Sequence, residues 1–341
     1  MISRSSFLFG SMLAAGMSTI ALADGANDGE RTFNWISETD EVQAEGIVWN
    51  DHLGDGADRW KTGGLTQSFV FPQSMLSDEP WFDHHAAAVE LQVRGLLITP
   101  DNTSAVGSGD RPYAQYLALG GYLRLWGQPD YLGAGFTTQT EDRLGIELGY
   151  QGEPLPLFEI ADAFHRVGNM PTTTRTDANT LDGEFLANVE ARRTLRMHGQ
   201  LGPHDLNVAP FAQVSAGMRE NSARVGTDII LGTSLEARTW NYDTGIGALI
   251  PGGAKYREGI HWAMWVGGDI GYVASDAFLD GGFSGNGPSV SRTPVTARAR
   301  AGLIYDYEDV SFSFSLNWLS AEFETQSEGQ MIGALQVEFA L

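Results

Sequence analysis

The sequence of 341 residues contains no cysteine, which excludes disulfide-stabilised folds, thiolate zinc sites and cysteine nucleophiles. Basic residues are also scarce, because 21 Lys and Arg stand against 43 Asp and Glu, giving a formal net charge of −22. Such a chain repels the phosphate backbone of nucleic acids, so no nucleic-acid partner is expected. Divalent cations are more natural partners for this excess of carboxylates.

Long hydrophobic runs are missing as well. Beyond residue 23, no apolar stretch reaches the about 18 residues that a spanning helix needs. Residues 1–23 resemble a secretory signal peptide, in which Arg4 precedes an apolar stretch and the small-residue cleavage site Ala21-Leu22-Ala23. The alternative, an N-terminal membrane anchor, is less favoured because Ser and Gly interrupt the short apolar stretch. We therefore expect an exported mature chain, residues 24–341, that can reside in a membrane only through strands.

Apolar and polar residues alternate strongly in the C-terminal half. From Val310 to Trp318 every second residue is apolar, and Ser or Asn stands between; residues 295–307 and 331–341 alternate in the same way. A soluble sandwich would bury the apolar face, whereas an outer-membrane barrel turns it to lipid and small polar residues to the lumen. The export signal, the aromatic residues near strand ends and a final segment that alternates up to the last residue favour the barrel. We predict an all-β, antiparallel transmembrane β-barrel of about twelve strands, forming one domain over residues 24–341.

One segment has helical rather than strand periodicity. Residues 154–167 place apolar side chains at helical spacing, with Pro156 at an early helical position and Gly168 where a helix would end. This predicts a short amphipathic helix that packs on a rim of the barrel or plugs it. On its surface the helix carries three titratable residues at i,i+3 spacing: Glu159, Asp162 and His165.

Two polar groups are candidates for chemistry. Asn50, Asp51, Asp55 and Asp58 bring oxygen ligands together beside flexible glycines, which suits calcium, although the spacing is not that of an EF-hand. An ordinary polar turn would have the same composition. His165 lies one helical turn from Asp162, and a carboxylate can orient an imidazole for acid–base chemistry. A packed or solvent-facing histidine without a chemical role is the alternative.

Several segments resemble, in order, a known family, the outer-membrane lipid A 3′-O-deacylases of the LpxR type. The resemblance covers about residues 43–341. Its motifs are Asn50-Asp51 followed by Asp58-Arg59 and Thr62-Gly63-Gly64-Leu65; Asp110-Arg111-Pro112-Tyr113-Ala114; residues 144–149 followed by the helix with His165 and Gly168; and Glu322-Phe323-Glu324-Thr325-Gln326. Gln115 stands where the family has glycine, and Asp110 where its best-characterised members have lysine.

The resemblance implies a twelve-stranded barrel of the Gram-negative outer membrane that acts on lipid A or lipopolysaccharide. We expect a monomer, although the sequence carries no signal of oligomeric state. The resemblance also implies a calcium-dependent hydrolase that removes the 3′-linked acyloxyacyl group, with His165 as the general base that activates water. Asp51 and Thr62 would hold the ion, and Asn50 would orient its neighbours or the substrate.

The family also has an acidic residue shortly after the histidine, where this chain has Pro171. Glu184 further along the chain and Asp162 are the candidates to support His165 instead. Two other functions stay open: an outer-membrane phospholipase, and a catalytically inert barrel or porin with Arg298 and Arg300 facing the lumen.

Overall fold

The computed structural model describes residues 42–57, 59–76, 86–101, 109–133, 135–168, 172–235, 238–252, 259–307 and 310–339. Strands dominate this part of the chain: β1 (Gln43–Asn50), β2 (Trp60–Pro72), β3 (Ala86–Thr99), β4 (Ala114–Trp126), β5 (Asp130–Gly133), β6 (Phe136–Gln151), β7 (Glu184–Leu201), β8 (His204–Gly217), β9 (Glu220–Gly232), β10 (Thr239–Tyr242), β11 (Leu249–Gly252), β12 (Ile260–Asp276), β13 (Val295–Tyr307), β14 (Val310–Leu319) and β15 (Gln330–Phe339). The helical elements are a 3₁₀ turn at Asp51–Leu53 and the helices α1 (Gln73–Leu76), α2 (Leu157–Gly168) and α3 (Ala277–Asp280).

Twelve of these strands form a closed antiparallel barrel, as predicted. Wall strands that follow one another in the chain are paired, with β4 joining β6 and β9 joining β12 across the strands that stand outside the wall. The barrel closes where β1 pairs with β15, with Val48 opposite Leu335 and Asn50 opposite Gly333. Closure leaves the wall without an unpaired edge, which a lipid environment requires. β5 only extends β6 at one rim, and β10 and β11 pair with each other.

The wall is apolar outside and polar inside, which confirms the barrel interpretation over the sandwich. In β14 the side chains of Ser311, Ser313 and Asn317 are buried in the lumen, whereas Phe312 and Trp318 on the other face are exposed. An exposed face of large apolar side chains is what lipid-facing strands present.

Paired charges occupy part of the lumen. Arg298 and Arg300 face it, as the sequence predicts, and both are buried. The Arg298 Nε lies 2.9 Å from an Asp269 oxygen, and the Arg300 Nε lies 2.6 Å from an Asp228 oxygen. Pairing of this kind offsets the large cost of removing each charge from water.

A hairpin of β10 and β11 also occupies the lumen, and every residue of both strands is buried. The Asn241 amide donates to Glu90 at 2.8 Å, and the Tyr242 hydroxyl donates to Asp269 at 3.0 Å. No pattern in the sequence indicates this hairpin. Its side chains meet the wall on all sides, so the alternation that identifies a wall strand is absent.

The two rims of the barrel differ. The loop rim, where β1 ends at Asn50 and β4 begins at Ala114, carries α2 between β6 and β7 and α3 between β12 and β13. The terminal rim holds the first residue of β1 and the last of β15. The predicted helix is confirmed as α2, which lies at the loop rim, while the hairpin rather than α2 plugs the lumen. Among the described residues, no helix is long and apolar enough to cross a membrane.

Two sequence predictions cannot be compared with this structure. The signal peptide of residues 1–23 and the final residue, 341, both lie outside the described residues.

Candidate active site

Four neighbouring strands meet at one level of the loop rim. Asn50 of β1 stands opposite Gly63 of β2, Gly63 opposite Leu97 of β3, and Leu97 opposite Gln115 of β4. The strands are about 4.8 Å apart, so this row covers about 15 Å of the wall. The row forms a continuous platform in which the first and last residues are 65 positions apart in the sequence.

On the outer face of the wall, polar side chains in this row and next to it are covered. Side chains whose positions along a strand differ by an even number share one face of the sheet. Asn50, Thr99 and Gln115 therefore share the outer face with Val48, Leu91 and Leu119, which are 62%, 50% and 66% exposed, respectively. Thr99 and Gln115 are nevertheless only 2% and 3% exposed. Another element must lie over them on the outside of the barrel.

That element is α2. The Gln115 side-chain oxygen accepts hydrogen bonds from the backbone N–H groups of Leu157 and Phe158, at 3.0 and 3.2 Å. The Phe158 ring packs edge-on against Tyr113, with ring centroids 5.7 Å apart, and α2 also contacts β3. His165 lies two turns further along α2 and is half-buried. The helix that carries the candidate base is thus brought to the outer face of the same rim.

The structure brings Asn50, Asp51 and Thr62 together at the β1–β2 connection. The Asn50 side chain accepts a bond from the His52 backbone N–H at 2.8 Å and donates one to the Thr62 carbonyl at 2.9 Å. Asp51 begins the 3₁₀ turn and is fully buried, and its carboxylate accepts a bond from the Arg59 N–H at 2.6 Å. Thr62 follows Lys61 at an irregularity in the β2–β3 register, and its hydroxyl lies 2.6 Å from that of Thr99.

Gln330, at the start of β15, is a residue of this site that sequence reasoning missed. Its amide nitrogen donates to the carbonyls of Arg59 and Lys61, at 2.5 and 3.1 Å, and lies 3.5 Å from the Asp51 carboxylate. Its amide oxygen accepts a bond from the Lys61 N–H at 3.2 Å. Only closure of the barrel places the last wall strand beside the first, so no local pattern in the sequence could have found this contact.

Ion pairs inside the rim support the site from beneath. The Glu322 carboxylate lies 2.5 Å from Lys61 Nζ and 3.0 Å from Arg111 Nη1. Burial raises the pKa of Glu322, but the charges of Lys61 and Arg111 outweigh burial and hold that pKa below its ordinary value. Arg111 is fully buried in this pair and cannot reach a substrate at the surface. Asp110 accepts bonds from the backbone N–H groups of Asp101 and Arg111, as expected for a turn residue.

The two candidate supporting carboxylates have structural partners. Asp162 accepts bonds from the backbone N–H and hydroxyl of Thr173, both at 3.0 Å, and so holds the segment that follows α2. Glu184 accepts bonds from the backbone N–H groups of Phe283 and Ser284 in the loop after α3. The described contacts therefore join Asp162 of α2 to the segment that follows this helix, and Glu184 to a different loop.

The donors at the β1–β2 connection suit a hard cation in their chemistry. The side chains of Asp51 and Thr62 supply only oxygen, the ligand atom that calcium prefers. Among the residues that the structure describes, no group of three His, Asp or Glu side chains is arranged to hold a metal. Backbone carbonyls, hydroxyls or water would have to supply the other ligands. Asp58, counted in the predicted calcium loop, lies outside the described residues.

Comparisons with known proteins identify the fold and the family. The model of the family described as "Outer membrane protein LpxR" matches residues 8–341. The solved structure of LpxR from Salmonella typhimurium is 18% identical, superposes with a TM-score of 0.66, and the match covers 88% of this chain and 100% of that one. The β domain of the Bordetella autotransporter Brka is 9% identical, with a TM-score of 0.40 and coverage of 88% and 99%. No curated protein sequence gives a significant match. The chain belongs to the LpxR family of outer-membrane β-barrel proteins.

Proposed function

We propose that this protein is a calcium-dependent hydrolase that removes the 3′-linked acyloxyacyl group of lipid A, with His165 as general base. The observation that carries the proposal is the family match over residues 8–341. The polar site on the outer face of the loop rim, under a helix that holds a histidine, supports it.

The position of the site suits a lipid substrate. Asn50, Thr99 and Gln115 share the face on which Val48 and Leu119 are exposed to the surroundings of the barrel. A lipid in the adjoining leaflet can reach that face by lateral movement, without entering the lumen. A substrate that had to pass through the lumen would meet the buried hairpin and the paired arginines instead.

The proposed reaction is the hydrolysis of an ester by water. Neutral His165 takes a proton from water as the oxygen attacks the ester carbonyl, and the resulting imidazolium returns a proton to the sugar oxygen as the C–O bond breaks. The products are the free acyloxyacyl acid and a 3′-hydroxyl group. Asn50 keeps the β1–β2 connection in place through its bond to the Thr62 carbonyl.

Asp51 and Thr62 would hold the calcium ion. When bound, calcium polarises the ester carbonyl and offsets the negative charge that develops on its oxygen. Asp51 is held by the Arg59 N–H, which fixes the carboxylate at the edge of the site. Asp162 would support His165 indirectly. Its bond with Thr173 ties the segment after α2 to the helix that carries the histidine.

Two alternatives make different predictions. A phospholipase would release fatty acid from phospholipid vesicles and leave lipid A intact. A porin would conduct ions, but the buried hairpin and the ion pairs of Arg298 and Arg300 occupy the lumen. The filled lumen favours an enzyme over a porin.

The test is to measure, by mass spectrometry, the mass of lipid A isolated from cells that express the protein. The wild type should remove one acyloxyacyl group with calcium present and lose this activity when calcium is chelated. His165→Ala should abolish the change of mass, while the folded barrel still migrates faster than the heated one in gels. Unchanged lipid A with ample calcium would refute the deacylase. Full activity of His165→Ala would refute His165 as the general base but would not refute the proposed hydrolase activity.

A further inference from the structure

We infer that Gln115 is a positioning residue of the proposed site, which caps α2 from the barrel wall and so fixes the helix that carries His165. The inference rests on the proposed function, because positioning matters for catalysis only if His165 reacts. Gln115 itself is 3% exposed under the helix, so it holds the helix rather than touching a substrate.

The first turn of α2 has no acceptor of its own. The first N–H groups of any helix lack partners within the helix, and a side chain just before it normally supplies one. Here the residue before α2 is Pro156, whose ring has no hydrogen-bond acceptor. The Gln115 side-chain oxygen takes that role, accepting from Leu157 at 3.0 Å and from Phe158 at 3.2 Å.

The start of β4 also holds both ends of the excursion that contains α2. The Gln115 carbonyl accepts a bond from the Gly152 N–H at 2.9 Å, where the chain leaves β6. Tyr113 donates to the Asn179 carbonyl at 2.8 Å and accepts from the Leu181 N–H at 2.9 Å, where the chain returns. These backbone contacts do not depend on the Gln115 side chain. Its removal should therefore displace the helix without releasing the whole excursion.

Small displacements of α2 matter because His165 is far from the cap. The helix rises 1.5 Å per residue, so His165 lies about 10 Å along the axis from Phe158. A slight tilt about the first turn moves the imidazole by about 1 Å or more. A misplacement of about 1 Å can slow a reaction around a hundredfold. Gln115 holds the first turn of α2, which is the end about which such a tilt would occur.

Activity of two variants separates positioning from a general structural role. Gln115→Leu removes the acceptor at similar size, so the helix can tilt and kcat should fall by about ten- to a hundredfold. Gln115→Glu keeps a side-chain oxygen and adds a negative charge that favours a helix N-terminus, so it should retain wild-type kcat. Gln336→Leu is the matched control, because Gln336 is another buried glutamine of the wall, bonded to Pro251 in the lumen.

A second readout follows the helix directly and needs no activity. The chain has no cysteine, so spin labels attach only where cysteines are introduced. Labels on Ala163→Cys in α2 and Leu119→Cys on the outer face of β4 should report one narrow distance in the wild-type background and in Gln336→Leu. In Gln115→Leu that distance distribution should broaden or shift, and in Gln115→Glu it should stay narrow.

The outcomes are distinguishable. Wild-type kcat and an unchanged distance in Gln115→Leu would overturn the inference, as would equal losses in Gln115→Leu and Gln115→Glu. If Gln115→Leu and the smaller Gln115→Ala both fail to assemble, Gln115 is a folding residue of the barrel and the inference is also wrong. If the wild type leaves lipid A unchanged, the proposed function fails, while the label distances still decide whether Gln115 fixes the helix.

Discussion

Asp51 is fully buried although it carries a carboxylate, and its environment is built by residues distant in the sequence. The Arg59 N–H binds it from eight positions downstream, and Gln330 approaches it from the last wall strand. Gln330 also bonds both the carbonyl and the N–H of Lys61, which precedes Thr62. One glutamine thus contacts Asp51 and the residue that precedes Thr62, and Asp51 and Thr62 are the two residues proposed to hold calcium.

Replacing Gln330 with leucine should weaken calcium binding more than it slows the reaction. Gln330→Leu leaves the carbonyls of Arg59 and Lys61 without this donor and releases the β1–β2 connection. Loss of a residue that orients a metal ligand commonly costs 10- to 100-fold in affinity or activity. We expect the half-saturating calcium concentration to rise about tenfold, with kcat largely recovered at saturation.

Calcium titrations of deacylation measure this, with Gln336→Leu of the same strand as control. Gln336 is also buried but bonds Pro251 in the lumen, away from the loop rim. The same calcium dependence in both variants and in the wild type would contradict a positioning role for Gln330.

Among single residues, the sequence indicated the candidates but not their partners. Asn50, Asp51 and His165 stood out because carboxylates, amides and imidazole are unusual beside glycine or on a short helix in a strand-rich chain. Gln115 and Gln330 did not stand out, since glutamine has no fixed chemical role and its bonds here join segments more than 40 positions apart. The resemblance predicts a glycine at position 115, and the structure shows that the Gln115 side chain found there accepts bonds from the first turn of α2.

At the scale of elements, periodicity predicted the strands and the helix that lie between protein and another environment. It missed the strands that are surrounded by protein on all sides. β13 was expected at residues 295–307 and is found at Val295–Tyr307, and α2 was expected at residues 154–167 and is found at Leu157–Gly168. Each has one face toward the protein and another toward lipid or water. β10 and β11 are surrounded on all sides by the lumen wall, so their residues follow no alternation.

The β10–β11 hairpin should keep the lumen closed to ions. Its turn reaches the loop rim, where the Gly245 carbonyl accepts a bond from Lys61 Nζ at 3.0 Å. Barrels of eight strands are filled by side chains and those of sixteen are open, so twelve strands leave room that an inserted segment can fill. We expect no conductance from the wild type in planar bilayers. Replacing Thr239–Gly252 with a short Gly-Ser linker should produce ion-conducting channels.

Gel mobility before and after heating would verify that the shortened protein forms a barrel. A shortened barrel that assembles and remains silent in the bilayer would show that the wall side chains alone close the lumen.

For the whole molecule, the placement of apolar side chains outside and charged side chains inside decides where the protein can reside. Large apolar side chains, among them Phe185, Val189 and Leu119, are exposed around the outside, while charged side chains occupy the centre. In water this arrangement would be unstable, because the apolar outer surface would be exposed to water. In a bilayer each surface has a suitable environment. From the sequence, alternation predicts that each wall strand has two different faces. The export signal, the aromatic residues near strand ends and the alternating final segment were needed to predict that the apolar face points outward.

A charge on the lipid-facing surface should therefore destabilise the barrel more than one on a loop. Leu119 is 66% exposed near the middle of β4, and Leu119→Arg should lower the free energy of unfolding by about 2–4 kcal/mol. Ser327→Arg, at an exposed position between β14 and β15, should change it by less than about 0.5 kcal/mol. Denaturant unfolding in phospholipid vesicles measures both. Equal stabilities would mean that Leu119 does not face the hydrocarbon.

The placement of the proposed site on the outer wall has a kinetic consequence. An enzyme of this design encounters its substrate in two dimensions, so the relevant concentration is the mole fraction of lipid A around the barrel rather than the amount per litre. Its rate should fall when inert lipid is added at constant total lipid A, and a leaflet packed tightly enough to slow diffusion would restrain the enzyme without any inhibitor.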